Sequence, residues 1–274
     1  MTLILTYWPL ILGLSLSGCV SGVFAGLLGV GGGVIIVPIL SYAFEAMGFS
    51  GDAAQHVAVA SSLAIIIPTG TMSARSHYKR GAVDLTALRL WAPFVAVATL
   101  IGGLLARFFT GEVLRIVFGV IAMLIALNII TPFQQGLMGH LKGSPTTHRV
   151  AASIVGFLSA LMGIGGGSLT VPTMAAFGET MHRAVGTSAA IGVFIAIGGT
   201  IGYILSGWGV PGLPPLSLGY VNLIAFVLVG GFAAVTAPVG AAIAHRLNQK
   251  TLRYVFAAFL VIVGLNMIWK AVTG

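Results

Sequence analysis

Apolar residues in this chain do not alternate with polar ones as strands require, nor do they collect on one stripe as in a helix packed on a soluble core. They run on for 10 to 26 residues at a time and are broken by short clusters rich in Gly, Pro, Lys and Arg. Runs of about 18 or more read as membrane-spanning helices, and runs of 10–14 as re-entrant pieces. The pattern predicts helical segments over roughly 8–28, 34–47, 54–72, 88–108 and 113–131, then 149–162, 168–178, 183–206, 219–244 and 251–270. Hydrophobic residues make up 58% of the chain and charged residues 7%, with mean hydropathy +1.08. Soluble domains hold about 25% charged residues, so the expected class is an all-α polytopic membrane protein.

The second half repeats the first. Gly29 to Pro38 reads GVGGGVIIVP and Gly163 to Pro172 reads GIGGGSLTVP, an offset of 134 (163 − 29). His56 to Ser62 then matches His182 to Ser188, Leu114 to Phe118 matches Leu252 to Phe256, and Leu127-Asn128 matches Leu265-Asn266. The expected organisation is a membrane repeat over 1–135, a cytoplasmic linker over 136–148 and a second membrane repeat over 149–274, each with five helical segments. Short or broken helices are expected to meet at the Gly-rich loops.

Charge adds orientation. The net charge of +8 would suggest nucleic acid in a soluble protein. Here the basic residues fall in the short loops, where they report topology instead. Placing loops 73–89, 133–149, 178–183 and 246–253 in the cytoplasm collects ten of the thirteen Lys and Arg and puts both termini outside the cell (inner) membrane. The repeats are then inverted, an arrangement on which alternating access is built. Met1 to Tyr7 carry no Lys or Arg, so no cleaved signal is expected. The lone Cys19 cannot form an intramolecular disulfide or a multi-thiolate metal site, and neither metal nor other cofactor is expected.

A Gly-x-Gly-Gly-Gly turn leaves successive backbone N–H groups unobstructed, and the helix that follows adds its free first-turn amides and positive dipole end. Such turns suit a small anion, and at membrane depth they must be buried in protein or face a cavity. The candidate binding residues are Gly29, Gly31, Gly32 and Gly33 with Gly163, Gly165, Gly166, Gly167 and Ser168. Close helix packing is the competing role for these glycines. Pro38 and Pro172 shape the helices by setting their starts. Ser61, Ser62, Thr187 and Ser188 offer hydroxyls that either line the site or bond back to their own helices, and Gln55, Ser62 and Thr69 form a polar stripe on one helix face. His56 and His182, the ionisable residues repeated beside the loops, are candidates for proton coupling. Asn128 and Asn266 read as helix-to-helix glue.

The two glycine motifs, the His-x-Ala-Val-x-Ser/Thr-Ser blocks and the duplicated layout together resemble the sulfite exporter TauE/SafE family, also called the toluene sulfonate uptake permease family. The resemblance covers essentially the whole chain. It implies a carrier of sulfite or of organosulfur anions such as sulfoacetate, with proton coupling in some members. The expected partners are therefore a small anionic substrate and the lipid bilayer, with no nucleic acid; a homo-oligomer is left open. An anion channel on the same site is the alternative, and an intramembrane enzyme is disfavoured because no nucleophile stands beside a base.

Overall fold

A computed structural model describes residues 2–28, 32–131, 143–244 and 249–273. Gly29 and Gly31 of the first glycine motif, most of the 136–148 linker and part of the 246–253 loop lie outside the described residues. Ten α-helices are described: α1 (Thr2–Leu28), α2 (Gly33–Ala46), α3 (Gly51–Lys79), α4 (Leu85–Leu105), α5 (Gly111–Ile130), α6 (Pro145–Met162), α7 (Gly166–Ala176), α8 (Met181–Ser206), α9 (Leu223–Ala244) and α10 (Gln249–Thr273). A 3₁₀ turn, Ala106–Phe108, prolongs α4. The strands β1 (Ser217–Leu218) and β2 (Val221–Asn222) pair antiparallel ahead of α9, so residues 219–222 form a hairpin where the pattern predicts helix. The chain is an all-α polytopic membrane protein. The stretches Gly51–Lys79, Leu85–Phe108, Gly111–Ile130, Met181–Ser206 and Tyr254–Thr273 are each long and apolar enough to cross a bilayer.

Local chemistry sets where these helices begin. The side chains of Ser50, Asp84, Thr110 and Ser144 accept hydrogen bonds from the first-turn amides of α3, α4, α5 and α6, and Asn222 Oδ1 accepts from Ala225 N in α9. Each cap satisfies a donor that lipid could not.

At the centre α3 and α8 run antiparallel. Leu63 meets Gly199, Gly70 meets Val193, and His77 lies within electrostatic reach of His182. Around this pair α2 packs on α3 and α7 on α8; α4 packs on α6 and α8, α1 on α9, and α5 on α10. Glycines allow close crossings: a methyl at Gly198 of α8 would lie 2.4 Å from Ala96 O of α4, and one at Gly202 would lie 2.6 Å from Leu100 O.

Helices α6 and α7 form a hairpin that enters from one end of the bundle and returns to it. The His148 ring, near the start of α6, stacks on Phe177 at the end of α7 with centroids 3.9 Å apart. Trp91 of α4 donates through Nε1 to His148 Nδ1 at 3.1 Å. This is the Asp84 end of the molecule. The opposite, Asp52 end receives the start of α1, which runs parallel to α9: Gly18 meets Val229 and Gly22 meets Ala233. Helix α2 finishes there as well, where the Glu45 carboxylate accepts from Arg115 of α5 and from Lys270 Nζ of α10, the latter at 2.6 Å. Helices α1 and α2 thus lie toward the Asp52 end and the α6–α7 hairpin toward the Asp84 end, with the start of α2 against the α6–α7 turn.

Candidate functional site

The start of α2 and the turn between α6 and α7 meet beside the middle of α3. Ser62 Oγ donates to Gly163 O at 2.8 Å. Ser62 lies 11 residues from Gly51 and 17 from Lys79, or about 17 Å and about 26 Å from the helix ends at 1.5 Å per residue. A methyl at Gly33, the first residue of α2, would stand 2.9 Å from Gly163 O and 3.1 Å from Ile164 Cα. Gly163 is enclosed by Val37 of α2 and the Val59 backbone of α3. The structure therefore brings Gly33, Gly163 and Ser62 into one buried, mid-depth contact; Gly165 meets the same Ile66 side chain as Gly33, and Gly166 packs on Ser188 and Gly192 of α8.

The glycines serve different ends there. Gly32 and Gly163 have φ of +72° and +69°, the left-handed region closed to most side chains. Gly166 is a close-approach residue, because a methyl there would lie 2.2 Å from Ser188 O. Gly165 is extended and leads into α7, whose residue Gly167 is half-buried. Neither α2 nor α7 has a side-chain cap, so both helices present uncapped N-terminal amides and positive dipole ends at mid-depth. Pro38 and Pro172 do not sit at helix starts. They are the sixth residue of α2 and the seventh of α7, where a ring without an N–H frees the carbonyls of Val34 and Ser168 from the helix ladder.

The hydroxyl pairs divide. Ser61 Oγ accepts from Asn222 N at 3.0 Å, and Thr187 Oγ1 accepts from Asp84 N at 2.9 Å. Asn222 and Asp84 are themselves the residues whose side chains cap α9 and α4. A hydroxyl from the third helix of each half thus holds the residue that starts the fourth helix of the other half. Ser188 Oγ points to Met174 Sδ at 3.7 Å. Ser168 Oγ is buried and, among the described residues, has no partner.

The histidines are not brought together. His56 is buried at the Asp52 end, with Nδ1 2.8 Å from Asp52 O, Nε2 3.0 Å from Ala106 O and its ring stacked on Tyr220. His182 is exposed at the Asp84 end. Asn266 accepts from Tyr42 Oη at 2.8 Å, a contact between helices, while Asn128 is half-buried. Thr69 Oγ1 bonds back to Ile65 O. Among the described residues no group of three or more His, Cys, Asp or Glu is placed to hold a metal.

Two features escape sequence reasoning. The crossed caps at Asp84 and Asn222 had a signal, since these residues are 138 apart (222 − 84), the offset of the Leu114 and Leu252 blocks. The triad of Glu45, Arg115 and Lys270 had none, because its members come from three helices distant in sequence.

Known proteins resemble this chain in sequence. Residues 14–267 match the model of the family described as sulfite exporter TauE/SafE. A Haemophilus influenzae protein named "Probable membrane transporter protein" is 32% identical over 93% of this chain and 97% of its own length. A Bacillus subtilis protein, "Probable membrane transporter protein YunE", is 29% identical over 93% of this chain and 96% of its own. No solved structure matches the chain. On the span of the family match and the near end-to-end alignment of these relatives, the chain belongs to the sulfite exporter TauE/SafE family of membrane transporters.

Proposed function

We propose that this protein is a secondary transporter that moves small sulfur-containing oxyanions, sulfite or an organosulfonate such as sulfoacetate, out across the cell's inner membrane by alternating access between two inverted repeats. The observation that carries the reading is the meeting of Gly33 with Gly163 at mid-depth. There two helices from opposite ends of the bundle aim uncapped N-termini at one place. Amides and dipole ends so placed favour an anion without any fixed cation. Among the described residues no charged side chain belongs to this contact. Of the hydroxyls near it, Ser168 Oγ is buried without a partner among the described residues and is free to donate, whereas Ser62 and Ser188 direct theirs to Gly163 O and Met174 Sδ.

The charge distribution supports the orientation. Arg75, Lys79, Arg80, Arg89, Arg149 and Arg183 all belong to the Asp84 end, which the proposal puts in the cytoplasm, with both termini outside. Because His56 and His182 lie at opposite ends, they cannot pass a proton directly between them, and each belongs to one gate. Purified protein in liposomes, loaded in turn with sulfite, sulfate, thiosulfate, taurine and sulfoacetate, tests the proposal. Saturable flux of at least one sulfur oxyanion that responds to an imposed proton gradient supports it. Flux indifferent to that gradient converts the reading to a channel, and no flux of any of them defeats it.

A further inference from the structure

Gln55 is the one side chain of the α3 stripe still unexplained. It is fully buried, and among the described residues neither its Nε2 nor its Oε1 meets a partner. A buried carboxamide left unpaired is costly, so a retained one points to a partner that arrives. Gln55 lies one turn before Val59 and two turns before Ser62, the two α3 residues that hold Gly163, and therefore shares their face. Across from it, α2 runs antiparallel to α3 and also touches Gly163 through Val37. One turn beyond Val37 on α2 comes Ser41, likewise fully buried, its Oγ without a partner among the described residues. A carboxamide and a hydroxyl, both unsatisfied, thus sit on the Asp52 side of the two helix N-termini.

The charged groups nearby are held in other contacts, although the buried Nε of Arg115 has no partner among the described residues. Glu45, one turn past Ser41, is held by Arg115 and Lys270. His56, next to Gln55 in sequence, faces Asp52 O, Ala106 O and Tyr220. What Gln55 offers is therefore neutral and two-sided, an N–H donor beside a carbonyl acceptor. An oxyanion without a hydrogen would satisfy Nε2 and set its own oxygen against Oε1. One that carries an O–H or N–H satisfies both.

From this we infer that Gln55 selects, among the oxyanions of the proposed function, monoanions bearing their own hydrogen-bond donor, such as hydrogensulfite or a hydroxyalkane sulfonate. For hydrogensulfite the proton crosses with the anion as part of the cargo, and the protein needs no histidine relay.

The test measures binding of ethanesulfonate and of 2-hydroxyethanesulfonate, equal in charge and different by one hydroxyl, to the full-length protein in nanodiscs. Wild type should hold the hydroxylated anion about ten- to a hundredfold more tightly, because a site built to pair a hydroxyl rejects the analogue lacking it. Gln55→Met, close in length and without polar atoms, should bring the ratio to within about threefold, with a melting curve reporting folding. Equal affinities in wild type, or an unchanged ratio in folded Gln55→Met, overturn the inference while leaving the anion carrier intact. Failure of both sulfonates, of sulfite and of sulfoacetate to bind the wild type overturns the carrier reading and the inference together.

Discussion

Removing one hydroxyl from each crossed cap separates a structural role from a ligand role for Ser61 and Thr187. In Ser61→Ala the Asn222 amide loses its acceptor in a setting where Ser61 is fully buried and Asn222 only 1% exposed, so water cannot replace the bond. An unmatched buried amide costs about 1–3 kcal/mol. In Thr187→Ala the stranded donor is Asp84 N, in a part-buried bond beside a carboxylate whose side chain is 19% exposed. Solvent can take up part of that loss, which leaves about 0.5–1.5 kcal/mol. The two bonds share no partner and lie apart along the bundle, Ser61 near the middle of α3 and Thr187 toward the Asp84 end of α8, so the double variant should lose the sum of the two. Reversible unfolding in mixed micelles, followed by tryptophan fluorescence, gives the three values, and sulfite binding is measured on the same preparations. A Ser61→Ala variant as stable as wild type, or a greater loss at Thr187 than at Ser61, would refute the reasoning. Loss of binding at full stability would move Ser61 from the scaffold to the site.

At the tip, Gly166→Ala places a methyl 2.2 Å from Ser188 O and should abolish folding, whereas Gly165→Ala meets only the Ile66 side chain, at 3.1 Å, and should survive with a lowered melting temperature; the yield of monodisperse protein distinguishes them. Burial holds His148 below the usual histidine range, outweighing the opposing effect of Glu179, and its Nδ1 accepts from Trp91. A depressed histidine favours the neutral ring in the fold, so its contribution is full above about pH 6.5 and falls as the pH drops below that value toward its folded pKa. Melting curves from pH 8 to 5 should show this loss in wild type and less of it in His148→Phe; equal slopes refute it. In a Cys19→Ser background, cysteines at Ser144 and Gly212 should react with impermeant reagents from opposite sides of the membrane, and same-side labelling rejects the proposed topology.

Much of the scaffold is legible in the sequence because lipid permits few alternatives: a long apolar run must become a helix. The ten predicted segments correspond to the ten described helices, and the glycine motifs mark the tips because Gly32 and Gly163 need a backbone that other residues resist. Side-chain partnerships are less legible. His56 and His182 are equivalent in sequence, and equivalence suggests closeness, yet in an antiparallel pair such as α3 and α8 it places the copies far apart. For Ser61 and Thr187 the same geometry makes each a partner of the other half. Gln55 reads as one member of a polar stripe, and only burial shows that its amide is unmatched when Ser62 and Thr69 are not.

The crossed caps also bear on how such a chain can be cut or assembled. Thr187 comes from the second half and holds Asp84 of the first; Ser61 comes from the first half and holds Asn222 of the second. In neither half does the hydroxyl that holds the start of the fourth helix come from that same half. A fragment ending near residue 135 would expose an unheld helix start in the membrane, and a fragment beginning near residue 145 would do the same. Two such fragments made together would restore both hydrogen bonds, each supplying the hydroxyl that the other lacks.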